Sequence, residues 1–215
     1  MIAPHRSMPD LMVLHTLRCL GFTSMGRLGA IVVDLATVDV EDRLLALAAQ
    51  GLVTHSPGQF GGWGLTDAGK AADAERIALE LERAGARDHV RVAYEDLLDL
   101  NQRVLDICAA WQLRTLDGVV TLNDHTDEAY DAGVLERLAD LDAEAQPVCG
   151  RLGAGLHRFS QYGPRLTTAL DRAGRGDLDQ VTNSVDSYHA VWFQLHEDLL
   201  ATLGISRESY DKTHP

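Results

Sequence analysis

The sequence predicts a mainly α protein in two parts: three helices and a β-hairpin first, then an all-α helical domain. Three observations carry this. Apolar residues recur at helical spacing along most of the chain. The turn-rich stretch Ser56-Pro57-Gly58-Gln59-Phe60-Gly61-Gly62 separates two short runs of strand character. From Ala86 onward, helical patterns follow one another with only turns and irregular connections between them.

Taken in order, Leu11, Met12, Leu14, Leu17 and Leu20 indicate a first helix from Pro9 to about Leu20, stopped by Gly21. A short second helix is expected from about Ser24 to Val33. A third, capped by Thr37 or Asp39, carries Val40, Leu44, Leu47 and Ala48 and ends where Gly51 follows Gln50. Leu52-Val53-Thr54-His55 and Trp63-Gly64-Leu65-Thr66 pair as a hairpin. Asp67 then opens a polar helix reaching about Ala84, with Glu75, Glu80 and Glu82 on exposed faces and Ile77, Leu79 and Leu81 on the apolar side.

Three helices, a glycine-containing hairpin, and Gly51-Leu52-Val53 followed by Leu65-Thr66-Asp67-Ala68-Gly69-Lys70 resemble the winged helix-turn-helix of MarR-type and PadR-type transcription regulators over residues 9–85. The resemblance implies a third helix in the major groove, a hairpin wing along the DNA backbone or minor groove, and a dimer reading two half-sites. It points to Thr37, Arg43, Ser56, Gln59 and Lys70 as DNA-contacting residues. The pattern departs at the third helix, which opens Thr37-Val38-Asp39-Val40-Glu41-Asp42-Arg43 with one basic residue, although a carboxylate can accept a hydrogen bond from cytosine. The alternative is therefore a winged helix that contacts a protein or belongs to a ligand-binding adaptor. Gln59, Phe60 and Trp63 could touch DNA, or they could complete the wing, with Trp63 packed beneath it.

The second part, residues 86–215, reads as a dimerisation and effector-sensing domain. A long helix runs from Ala86 to about Trp111, bearing Val90, Val92, Ala93, Leu97, Leu98, Leu100, Val104, Leu105, Ile107 and Cys108. Thr115 to Asn123 is expected as an irregular connection containing Gly118. Asp124 or Thr126 starts the next helix, through Tyr130, Val134, Leu135, Leu138 and Leu141. Pro147 is placed near the start of a further helix, Gly163-Pro164 as a break before Leu166 to Ala173, and Asp186 to Leu203 as the last helix, closed by Gly204.

Charge is distributed unevenly. The chain carries −13 overall, of which residues 1–70 hold −1, so the rest repels phosphate. The three cysteines, Cys19, Cys108 and Cys149, are widely spaced and outside any CxxC pattern, which speaks against a disulfide framework or a cysteine zinc knuckle and for a reducing cytoplasm. No apolar run approaches the roughly 20 residues of a membrane span.

Two constellations are candidates for chemistry. In the last helix Tyr188, Val191, Trp192, Leu195 and Leu199 form an apolar stripe bordered by His189 and His196. Seven residues put the two histidines roughly 10 Å apart along a helix, too far for the pairing of an HExxH zinc helix, so no metal is expected there. Glu197 and Asp198 read as solvated carboxylates or as partners of an arginine such as Arg158 or Arg165. Trp111, Arg114 and His125 lie where a long helix, a connection and a helix start converge. They suit an anionic or aromatic effector, while Asp124 or Thr126 can equally serve as a helix cap. Asn101 is a further pocket candidate. Phosphate-loop, dinucleotide and nucleophile-elbow motifs are missing. The sequence thus predicts a cytoplasmic, non-enzymatic regulator without cofactor, binding double-stranded DNA as a homodimer and modulated by a small molecule held by Asn101, Trp111, Arg114, His125, His189, Trp192 and His196.

Overall fold

A computed structural model describes residues 3–32 and 35–206. They are mainly helical, with two small antiparallel hairpins, and the chain divides into two compact units. Among the described residues no helix is long and apolar enough to cross a membrane.

The first unit comprises Met1–Arg91, Gly153–Gln161 and Gln194–Pro215. It holds α1 (Pro9–Leu20), α2 (Met25–Ile31), α3 (Thr37–Ala49), β1 (Val53–Ser56), β2 (Gly62–Leu65) and α4 (Asp67–Ala84). The first helix has the predicted bounds, with Pro9 at its start where a missing N–H costs nothing. Ser24 caps α2 by accepting from the Arg27 N–H at 3.3 Å; the predicted end at Val33 lies outside the described residues. The cap of α3 is Ala36, without a side-chain bond, so neither Thr37 nor Asp39 plays that part. Instead Thr37 is the first helical residue, and its methyl lies 3.3 Å from where a side chain on Gly29 would begin. Met12, Val13, Leu14, Leu17, Leu28, Val40, Leu44, Leu47, Val53 and Trp63 fill one core.

The Leu-Thr-Asp-Ala-Gly-Lys phrase is explained by packing at the hairpin base. The last turn of α3 closes with the Gly51 N–H on Ala48 O and the Leu52 N–H on Leu47 O, a left-handed stop that suits Gly51 at φ +71°. The Thr66 hydroxyl donates to Gly51 O at 2.7 Å and accepts from the Gly69 N–H at 3.0 Å, capping α4. Gly69 passes so near that a Cβ there would stand 1.9 Å from Leu52 O. On α4, Ile77 and Leu81 are buried as expected, but Leu79 is exposed and Glu80 is buried. The position of Glu80 beside Ile77 and Leu81 on the helix turn outweighs its polarity, because a cation meets it inside the unit.

The second unit comprises Val92–Leu152 and Tyr162–Phe193. The elements after α4 are α5 (Arg87–Gln112), β3 (Leu113–Leu116), β4 (Val119–Leu122), α6 (Glu128–Gly155), a 3-10 helix (His157–Gln161), α7 (Tyr162–Gly174), α8 (Asp179–Thr182) and α9 (Tyr188–Leu203), of which the 3-10 helix and α9 from Gln194 onward belong to the first unit. The connection expected to be irregular is a hairpin in which Leu113 pairs with Leu122 and Leu116 with Val119. Its two-residue turn, Asp117-Gly118, has positive φ at both positions, the geometry that matches the twist of paired strands. Pro147 does not begin a helix: α6 runs through it. Pro147 and Ala143, whose carbonyl loses its partner, both lie on the exposed side, where water can replace the missing bond. Gly163-Pro164 likewise sits in the first turn of α7, where proline is tolerated. The stripe Tyr188, Val191, Trp192, Leu195 and Leu199 of α9 is buried as expected.

Candidate functional site

Each residue singled out for DNA contact lies exposed in the first unit. Thr37 and Arg43 are on α3, and Arg43 Nη1 reaches Asp10 Oδ1 at 3.3 Å. Ser56 ends β1, Gln59 is in the hairpin tip beside Phe60, which is 90% exposed, and Lys70 Nζ lies 3.0 Å from Asp67 Oδ1. Trp63 is buried beneath the hairpin with its ring 4.6 Å from that of His55. Thr23, between α1 and α2, exchanges two backbone hydrogen bonds with Trp63 at 3.0 and 2.8 Å and so adds a third edge to the hairpin. The exposed face of α3 presents Asp39, Glu41 and Asp42 with Arg43, so its charge is negative.

The effector candidates fall in both units. Asn101, Trp111, Arg114, His125, His189 and Trp192 belong to the second, His196 to the first. Asn101 and Trp192 are brought together, the indole N–H donating to Asn101 Oδ1 at 3.0 Å. Trp111 and His125 also meet, with ring centres 4.6 Å apart. Asn123, which the sequence reading did not select, organises this group: its amide donates to Trp111 O at 3.1 Å and to Asp131 Oδ1 at 2.7 Å, while His125 Nδ1 lies 2.9 Å from Asp131 Oδ2. Arg114 spans Asp124 Oδ1 at 3.0 Å and Asp127 Oδ2 at 3.6 Å. Asp124 Oδ1 also accepts from the Thr126 N–H and hydroxyl, and Asp127 from the Tyr130 N–H, so this loop has structural work as well. The N–H of Trp111 Nε1 and that of Arg114 Nε are both buried with no acceptor among the described residues. His189 and His196 are half-buried, as their border positions imply, and burial holds the His189 imidazole below its ordinary value.

The most concentrated polar group is one the sequence reading missed. In the first unit, His15 Nδ1 lies 3.0 and 3.1 Å from the two Asp73 oxygens, and His15 Nε2 lies 3.1 Å from Asp198 Oδ1. The Arg158 guanidinium donates to Asp198 Oδ1, to Glu80 Oε2 at 3.1 Å and to Thr202 Oγ1 at 2.6 Å, and its plane lies over the Phe159 ring. Asp198 is therefore a buried partner of Arg158, one of the two arginines named for it, and not a solvated carboxylate. Burial pulls the His15 imidazole down, but the Cys19 sulfur and the Asp73 and Asp198 carboxylates outweigh it and hold His15 well above the usual histidine range. Burial pushes Asp198 up, and Arg158 and His15 more than reverse this, keeping it below the usual carboxylate range. The signal was present in the sequence: Asp73 and Glu80 fall at i and i+7 on the stripe of Ile77 and Leu81, and His15 interrupts the apolar face of α1.

Comparisons with protein-family models, with curated proteins and with solved structures gave no significant match to the chain. What the fold and these groups define is a mainly α chain with two hairpins, an exposed acidic third helix, and a buried ionic group in the first unit.

Proposed function

We propose that the chain is a winged-helix transcription regulator that binds promoter DNA as a dimer through α3 and the β1–β2 hairpin. The observation that carries this reading is the backbone pairing of Thr23 with Trp63, which turns the order α1, α2, α3, hairpin, α4 into helix, edge strand, helix, helix, two-stranded wing, helix. Thr37, Arg43, Ser56 and Gln59 are exposed on α3 and the β1–β2 hairpin, and Lys70 is exposed in the first turn of α4 that follows. The acidic α3 requires sequence readout in the groove to supply the affinity that phosphate attraction does not. Fluorescence polarisation with duplex fragments from the region upstream of its own gene, at several salt concentrations, tests it. A fragment bound at least about tenfold tighter than random duplex supports the reading. If no fragment exceeds random duplex at low salt, the reading fails.

In the same proposal, an anionic or aromatic small molecule binds the second unit against Trp111, Arg114 and His125. The buried, acceptor-less N–H groups of Trp111 and Arg114 support this, because a ligand oxygen there would satisfy them. Such a molecule regulates only if its affinity differs between two arrangements of the dimer.

A second reading is favoured by the charge of α3, where Asp39, Glu41 and Asp42 are exposed and Arg43 is turned onto Asp10. Here the same surface docks a basic protein segment. Glu41→Gln with Asp42→Asn separates the two: DNA affinity rises about fivefold or more if α3 faces phosphates, and stays undetectable if it docks protein.

A further inference from the structure

His15 and Cys19 stand one helical turn apart on α1, and Asp198 on α9 approaches the same face. One ligand atom from each, His15 Nε2, Cys19 Sγ and an Asp198 carboxylate oxygen, lies within 4.8 Å of both others. The nitrogen-to-oxygen separation is 3.1 Å and the sulfur-to-nitrogen separation 3.8 Å. A tetrahedral zinc ion with bonds of about 2.3 Å to sulfur and about 2.0–2.2 Å to nitrogen and oxygen sets its ligand atoms about 3.4–3.6 Å apart. We propose that His15, Cys19 and Asp198 form a binding site for a divalent transition metal ion, zinc fitting best, with Asp73 fixing the histidine tautomer from behind.

The surroundings are those of a built site. Both Asp73 oxygens receive the His15 Nδ1–H, so that Nε2, once it gives up its proton, presents its lone pair towards Cys19 and Asp198. This carboxylate–histidine–metal relay is the common outer arrangement of metal-binding histidines. An imidazole, a thiolate and a carboxylate make a borderline donor set that suits zinc and leaves a fourth position for water. Arg158 and Thr202 hold Asp198 in place, and the ion takes the position of the proton that His15 Nε2 shares with Asp198.

Charge balance supports the exchange. The groups facing the site are His15 and Cys19 from α1, Asp73 and Glu80 from α4, Arg158 from the 3-10 helix, and Asp198 with Thr202 from α9, while the partly exposed His5, 3.8 Å from the other Glu80 oxygen, stands outside the group and its charge balance. With His15 protonated and Cys19 a thiol, this group carries one net negative charge. With a divalent cation bound, His15 neutral and Cys19 a thiolate, it again carries one. Binding thus releases two protons, one from nitrogen and one from sulfur, and leaves the buried charge unchanged.

Cobalt(II) titration of the reduced full-length chain tests the site directly and does not depend on DNA binding. The expected result is one ion per chain, a thiolate-to-metal charge-transfer band, intense visible bands of a tetrahedral ion, and displacement by zinc. Affinity should rise by up to about a hundredfold per pH unit while both groups are protonated. Cys19→Ser should abolish the charge-transfer band, and Asp73→Asn should weaken binding about 10–100-fold. Cys108→Ser with Cys149→Ser leaves Cys19 as the sole thiol and should keep the band, so the assignment stays testable even where Cys19→Ser does not fold. No charge-transfer band in the wild-type chain, or a band that survives in Cys19→Ser, overturns the proposal and leaves His15 as a proton-bound partner of two carboxylates.

Discussion

Single residues in this chain differ sharply in how much rests on them. Arg158 is the guanidinium shared by Glu80 and Asp198 at buried positions, so Arg158→Met deprives Glu80 of its arginine, leaves Asp198 to His15 and Thr202, and should lower stability by about 3–5 kcal/mol in urea unfolding. Arg103 makes two contacts of 2.8 Å to Glu144, yet both side chains are exposed and water and salt screen them. Arg103→Ala should leave the urea midpoint essentially where it was, and a loss comparable to that of Arg158→Met would show that burial is not what separates the two pairs. Gly69 is constrained by space alone: a methyl placed 1.9 Å from Leu52 O cannot rotate away, because both partners are backbone. Gly69→Ala should therefore destabilise by roughly 1–3 kcal/mol or more, read from the same unfolding curves.

At the scale of elements, legibility followed whether the deciding contacts were local. The first helix has the bounds its apolar spacing and Gly21 indicate, the fourth spans the expected Asp67–Ala84, and α9 buries the stripe read from its period. The β3–β4 hairpin escaped because apolar residues occupy both faces of its strands, with Leu113, Leu122 and Val120 on one and Leu116 and Val119 on the other, so no alternation appears. Its turn, Asp117-Gly118, was the readable clue. The burial of Glu80 and Asp198 had no such local sign as strong, since their shared partner Arg158 lies 78 and 40 residues away in sequence. The same hairpin leaves Val120 and Leu122 65% and 78% exposed on one face and Val119 61% exposed on the other, apolar side chains open to a partner. If it forms the dimer contact of the proposed regulator, Val120→Asp with Leu122→Asp should halve the mass measured by light scattering. An unchanged assembly would place that contact elsewhere.

The molecule as a whole should show a stability plateau bounded on both sides by the buried group of the first unit. His15 is held above its ordinary value, so its proton contributes fully below about pH 6.5 and the contribution is lost as pH rises through the raised value. Asp198 is held below its ordinary value, so its contribution is present above about pH 4 and is lost as pH falls through the depressed one. In metal-free protein, urea midpoints should fall in acid and again in alkali, and His15→Gln should lower the plateau and remove the alkaline fall. An alkaline fall that persists in His15→Gln would assign it to another group. The first unit also gathers stretches from three parts of the chain, including the turn that carries Arg158 and the helix end that carries Asp198. A nascent chain emerging from the ribosome therefore exposes His15 and Glu80 before Arg158 and Asp198 exist. Glu80 must wait for Arg158, and His15 Nε2 for Asp198, by which time the whole second unit has been translated. The buried ionic group of the first unit is thus completed only after synthesis has passed the helices that begin it, and a fragment cut at Arg91, which keeps the Met12–Trp63 core but loses Arg158 and Asp198, should fold with a lower urea midpoint than the full chain.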